Sequence, residues 1–303
     1  MLVPAGIVNN NDSIAVVAPS SPFNKELLLK GIKKIESEGF KVVYSERIFS
    51  RGWDELPYFA GSPEERAGEI NKFFKDPSIK AIMAARGGYG SNLTAELIDY
   101  EIIKKNPKIF MGFSDITFLL NVIHERSNII TYHGPMVGSD RFLSCVKADF
   151  DIFLNVMKYP SHEIRISFNP ENFKNSRKTG GKIAGGNLTM LTTMTGTPFD
   201  FSTEGKILFI EDINEADYRI DRMLTHLKQA GKFKKLGGIV FGEMLSCGTD
   251  QKKLFEIIDH LNIDVPVLTN FPFGHGNRNV VIPVGGYCEI DPSSEIVILR
   301  GRK

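Results

Sequence analysis

The chain predicts an α/β protein in two parts. An N-terminal open parallel sheet flanked by helices should occupy residues 1–160, and a smaller, strand-rich mixed α/β domain residues 161–303. Three observations predict it. Apolar strands and amphipathic helices alternate up to about residue 132. A polar segment from Ser161 to Lys182 then breaks the rhythm with Pro170, Asn175, Gly180 and Gly181. Beyond it, short apolar runs punctuated by glycine dominate. A chain of 303 residues is long enough for two units, each with its own core.

Ile14-Ala15-Val16-Val17-Ala18 is a continuous apolar run, as in a parallel strand covered on both faces. A helix from about Asn24 carries Leu27, Leu28, Ile32 and Ile35 on one side and stops at Gly39. Val42-Val43-Tyr44 is the next strand. Ser62-Pro63-Glu64-Glu65 opens another helix, with serine as N-cap, proline at the first helical position and glutamate three residues on. A strand over 80–85, a helix through Leu93 to Leu97, a strand over 108–111, a helix after Ser114 and a strand over 129–132 follow. Such alternation puts functional loops at the C-terminal ends of the strands. In the second part, strands are expected from Lys182 to Ala184, Ile207 to Ile210, Ile239 to Phe241, Val280 to Ile282 and Ile296 to Leu299. Helices are expected near 217–230 and 250–261.

Composition narrows the function. With 37 basic against 36 acidic residues the net charge is +1, so no basic excess exists to neutralise a phosphate backbone. Cys145, Cys247 and Cys288 are odd in number and far apart, and read as thiols in a reducing compartment. Met1 to Asn11 lacks the basic head and apolar run of a signal peptide. No stretch approaches the roughly 18 apolar residues of a spanning helix. A cytoplasmic protein without nucleic-acid or membrane partners is the expectation.

Chemistry points first to Ser114. Within Lys108-Ile109-Phe110-Met111-Gly112-Phe113-Ser114-Asp115-Ile116-Thr117-Phe118 it stands between a short apolar strand and a helix, on a tight bend where Gly112 avoids crowding. Unpaired N–H groups at the helix start can hold an oxyanion. The pattern departs from G-x-S-x-G at Ile116, and a plain helix N-cap is the competing reading. Arg86-Gly87-Gly88-Tyr89-Gly90 follows a strand and should emerge at the same sheet edge. Its glycines let the backbone approach a ligand, so Gly87 or Gly88, with the N–H of Asp115, can form an oxyanion hole.

Six histidines compete as the base. His124 lies too far down its helix, His226 and His260 sit on amphipathic helices, and His162 is in the polar segment. His133 ends a strand at the correct edge, while His275 projects from the glycine-flanked loop Gly274-His275-Gly276-Asn277. Among the acids, Glu211 follows the apolar run Ile207-Leu208-Phe209-Ile210 and can fix an imidazole tautomer. Glu215 and Asp217 suit the start of the next helix, where the dipole favours them. Asn187 can orient a substrate amide or stabilise a turn. Arg86 can bind a terminal carboxylate or pair with backbone carbonyls. No H-E-x-x-H helix or paired cysteines suggest a metal.

These segments together resemble the LD-carboxypeptidase family of serine peptidases, which trim murein peptides. The likeness includes Val16-Val17-Ala18-Pro19-Ser20, His133-Gly134-Pro135, Gly185-Gly186-Asn187-Leu188, Tyr218-Arg219-Ile220-Asp221-Arg222-Met223-Leu224 and Ile282-Pro283-Val284-Gly285. It implies a Ser114–Glu211–His275 triad, with the serine in the first domain and its partners in the second. It also implies removal of the terminal D-alanine from a murein tetrapeptide, a homodimer, and no metal or organic cofactor. Two other readings stay open: an immunity peptidase of the microcin type, and a non-catalytic module that binds a small ligand in its glycine loop.

Overall fold

The computed structural model describes residues 2–7, 9 and 12–302. The first sheet is built from β1 (Ser13–Val17), β2 (Lys41–Val43), β3 (Ile79–Ala84), β4 (Ile109–Gly112) and β5 (Thr131–His133), all parallel. Helices α1 (Lys25–Glu36), α2 (Pro63–Lys75), α3 (Ser91–Ala95), α4 (Tyr100–Lys105), α5 (Thr117–Ser127), α6 (Asp140–Ser144) and α7 (Lys147–Lys158) accompany it. Every residue of β1 is buried, as its unbroken apolar run requires. At the start of α2, Ser62 Oγ accepts from the Glu65 N–H and the Glu65 carboxylate accepts from the Ser62 N–H, a complete capping box.

The second sheet holds eight strands: β6 (Ile164–Ser167), β7 (Phe173–Lys174), β8 (Thr179–Asn187), β9 (Lys206–Ile213), β10 (Gly238–Leu245), β11 (Val267–Leu268), β13 (Tyr287–Asp291) and β14 (Ile296–Arg300). Strands β8 to β11 run parallel, and the others add antiparallel at the two sides. Helices α8 (Leu188–Met194), α9 (Asp217–Gln229) and α10 (Gln251–His260) connect them. The polar segment from Ser161 contributes β6, β7 and the start of β8.

One strand departs from expectation in a way that matters for the site. The strand foreseen at Val280 to Ile282 is β12 (Ile282–Val284), and it pairs antiparallel with β5 in the first sheet. It covers what would otherwise be an open sheet edge, satisfying the backbone of β5. The chain segment between β11 and β12 thus passes from the second sheet to the first. The apolar core is likewise shared: Ala184, Leu188, Leu208 and Ile210 pack in one cluster with Phe110, Phe113, Ile116 and Phe118. No helix among the described residues is long and apolar enough to cross a membrane.

Candidate active site

Ser114 adopts φ +62°, a left-handed conformation that a non-glycine residue enters at a cost of roughly 1–2 kcal/mol. It sits directly after β4, in a 3-10 turn of Ser114–Ile116 that leads into α5. A simple N-cap would have extended backbone and a side chain bonded to a helix amide. Ser114 has neither, and it is half-buried. The glycine loop lies against this bend. A Cβ on Gly87 would stand 3.0 Å from Ser114 Cβ and 3.3 Å from the Asp115 nitrogen, so only glycine fits without displacement. Gly88 and Gly90 answer a different need, with φ of +106° and +120°. Among the described residues, the N–H groups of Gly87, Gly88 and Asp115 donate no hydrogen bond within the protein.

Glu211 is completely buried in β9, and its Oε2 lies 2.6 Å from His275 Nδ1. The same oxygen accepts the His275 backbone N–H at 3.2 Å. Strand alternation turns the next acid away: Asp212 faces α8, where its carboxylate accepts from the Thr189 N–H and hydroxyl and from the Asn187 amide. Burial pushes the Glu211 carboxyl up. The hydrogen bond and charge of His275, with the nearby His133, outweigh that and leave it below its ordinary value. An ionised Glu211 makes Nδ1 the protonated imidazole nitrogen and leaves Nε2 as the acceptor. The imidazole packs on Phe113, the residue before Ser114, with ring centroids 4.8 Å apart. Ser114 Oγ itself makes no hydrogen bond among the described residues. Such contacts often tighten only when a substrate is bound.

His133 is also at this junction, but it cannot replace His275. It is 1% exposed, wedged between Phe113 and Phe273 at centroid distances of 5.7 and 5.3 Å. Neither ring nitrogen makes a well-aligned hydrogen bond, and burial lowers its pKa to about 4. His124 is tied to the Ile129 carbonyl at 2.8 Å, while His162, His226 and His260 are exposed. Glu215 pairs with Arg219 and Asp217 with Lys253, as acids at a helix start would. Asn187 caps α8 through Met190 N–H and donates to Asp212, so both ends of its amide are taken within the protein. Arg86 is exposed and donates to the Pro22 carbonyl, the backbone-pairing alternative.

Two acids that sequence reasoning passed over hold the His275 loop. Asp149 of α7 accepts from Arg278 Nη2 at 2.5 Å and from the Asn279 N–H at 3.1 Å. Glu243 accepts from the Asn277 N–H at 3.1 Å, re-aimed by an irregularity in β10 between Phe241 and Met244. Their sequence neighbourhoods carry no signal for this, because both partners come from loops distant in the chain.

A half-buried hydroxyl on a strained turn, a buried imidazole–carboxylate pair and unbonded amides in the segments at that turn are the parts an acyl-cleaving site requires. On this α/β frame they suit a peptidase. The chain belongs to the LD-carboxypeptidase family: residues 14–134 match its N-terminal domain and residues 180–290 its C-terminal domain. It is 32% identical to a probable murein peptide carboxypeptidase of Bacillus subtilis, over 97% of this chain and 93% of that protein. Against the microcin C7 self-immunity protein MccF of Escherichia coli, identity is 28% over 90% and 88%. The crystal structure of a muramoyltetrapeptide carboxypeptidase from Oxalobacter formigenes is similar with a TM-score of 0.80 and 29% identity, covering 95% of this chain and 97% of that one.

Proposed function

We propose that the protein is a serine-type LD-carboxypeptidase that removes the terminal D-alanine from murein tetrapeptides in peptidoglycan recycling. Ser114 Oγ attacks the carbonyl carbon of the bond between the L-centre and D-alanine. His275 Nε2 takes the hydroxyl proton and then delivers it to the leaving amine. Glu211 holds the Nδ1 proton and stabilises the imidazolium. The amides of Gly87 or Gly88 and of Asp115 stabilise the oxyanion. Water hydrolyses the acyl-enzyme by the same proton route in reverse. The groove between the domains at 1–160 and 161–303 takes the substrate, and the work is done in the cytoplasm by a homodimer without a metal or organic cofactor.

The observation that carries this reading is the 2.6 Å contact between His275 and fully buried Glu211, beside a serine strained at φ +62°. A module that only binds a small ligand has no use for a buried imidazole–carboxylate pair. The similarity to a murein peptide carboxypeptidase over 97% of the chain favours murein over a microcin-type substrate. The test uses three peptides at matched concentration: a tetrapeptide ending in D-alanine, its L-alanine epimer and the C-terminal amide. Free alanine is expected from the first, little from the second, and no alaninamide from the third. Ser114→Ala should release alanine from none of them. Alaninamide released from the third peptide as fast as alanine from the first would make the protein an endopeptidase or a broader amidase.

A further inference from the structure

The serine is followed by a carboxylate that does more than its place in a helix start requires. Asp115 is 3% exposed, and its Oδ2 accepts from Ser20 Oγ at 2.5 Å and from the Ser91 N–H at 2.9 Å. Its backbone carbonyl accepts from Ser91 Oγ at 2.6 Å. Ser91 directly follows the glycine loop, and Ser20 lies just beyond β1. The next residue, Ser21, donates its N–H to the Gly87 carbonyl at 3.2 Å and accepts the Tyr89 N–H at 3.0 Å. From the far side, fully buried Arg66 donates to the carbonyls of Gly90 at 3.0 Å and Pro19 at 3.2 Å. Three chain segments, 19–21, 86–91 and 113–115, therefore meet on one buried carboxylate.

Stability alone does not account for it. Asp115 Oδ1 and Arg66 Nη2 are buried without hydrogen bonds, and the two side chains form no ion pair at contact distance. A half-satisfied buried carboxylate is a poor stabiliser. What it does fix is the distance between the glycine loop and the residue after the serine. We propose that Asp115 is a positioning residue of the reaction, its carboxylate clamping the glycine loop so that the Gly87 and Gly88 amides and its own N–H converge on one oxyanion.

The inference rests on the serine reading of Ser114, and a fluorophosphonate probe separates the two. Its reaction with a serine passes through an oxyanion, so the rate constant of inactivation reports on the clamp and the half-saturating concentration on binding. Asp115→Ala should slow inactivation about 30-fold with half-saturation within about 3-fold of wild type. Asp115→Asn retains an oxygen to accept from Ser20 and Ser91, and should recover to within about 3-fold. A double variant, Ser20→Ala with Ser91→Ala, removes two of the three bonds and should slow inactivation about 5-fold even if Asp115→Ala fails to fold. Wild-type rates in Asp115→Ala or in the double variant overturn the clamp, as does an Asp115→Asn rate as low as that of alanine. A wild type that does not label overturns the serine reading and this inference with it.

Discussion

The serine turn and the histidine loop reach one site by opposite means. Residues 109–117 form a strand, a bend and a helix start in sequence order, and the bend is made by backbone conformation at Ser114 itself. Residues 271–279 form no helix or named strand; a few turn bonds, such as Gly274 N–H to Asn279 Oδ1 at 3.0 Å, and backbone pairing with β10 shape them. Carboxylates from three elements anchor them further: Glu211 of β9, Glu243 of β10 and Asp149 of α7, 64, 34 and 129 positions from the residues they hold. The strained turn stores its cost locally, whereas the loop is as well placed as its anchors are. Damage to the first should abolish chemistry with little change elsewhere, and damage to the second should act through the anchors.

The largest effect expected from breaking an anchor is at Glu211. Glu211→Gln keeps the shape but removes the charge facing Nδ1, and an amide that donates there favours the wrong imidazole tautomer. Turnover should fall about 10³- to 10⁴-fold. Glu215→Gln, which only breaks a pair with Arg219 at 3.4 Å, should cost less than about 3-fold. Steady-state rates on the D-alanine tetrapeptide decide it. Equal losses at both positions would mean that the loop is not governed by Glu211.

How much of this could be read in the chain follows the same division. The capping box at Ser62, the parallel strands of the first sheet and the bend at Ser114 were legible because each is written in contiguous residues. Helices α4, α6, α7 and α8 were passed over, three of them only five to seven residues long. Strand β13 was missed although Tyr287-Cys288-Glu289-Ile290-Asp291 alternates in burial as it does in polarity. The sheet that β12 joins was not legible at all, because pairing partners are chosen by tertiary packing. Asp149, Glu243 and Arg66 look like surface charges in their local sequence, and only the fold turns them inward. Asp115 was singled out for its N–H alone, and its carboxylate has distant partners.

His133 couples the two regions, since its ring touches Phe113 of the turn and Phe273 of the loop. Burial holds its pKa at about 4 against 6.5 in the unfolded chain, with the Glu211 charge opposing that shift and the neighbouring His275 adding to it. The sign follows from linkage: below 6.5 the unfolded chain binds a proton that the folded protein resists. Stability from the neutral ring is therefore intact above pH 6.5 and is lost as pH falls from 6.5 to about 4, by about 3 kcal/mol in all. His133→Phe keeps the aromatic packing without the titration. Between pH 7 and 4.5 its melting temperature should fall by roughly 5 °C less than that of wild type. Parallel curves would show that His133 does not carry the acid sensitivity of the junction.

The smallest effect sharpens the comparison most, because it measures strain apart from chemistry. Ser114→Ala and Ser114→Gly both remove the hydroxyl, so neither should turn over substrate or label. They differ in backbone. Alanine meets the same penalty as serine at φ +62°, whereas glycine enters that region freely. Glycine also gives the unfolded chain more entropy, which offsets roughly half of the relief. Ser114→Gly should therefore be about 1 kcal/mol more stable than Ser114→Ala, or roughly 2 °C higher in melting temperature for a chain of this size. Denaturant midpoints at constant slope would give the difference directly. The same exchange at His275, where φ is not in the left-handed region, should run the other way, with glycine the less stable of the pair. If alanine equals or exceeds glycine at Ser114, the turn is not strained, and the local account of how the serine is presented fails.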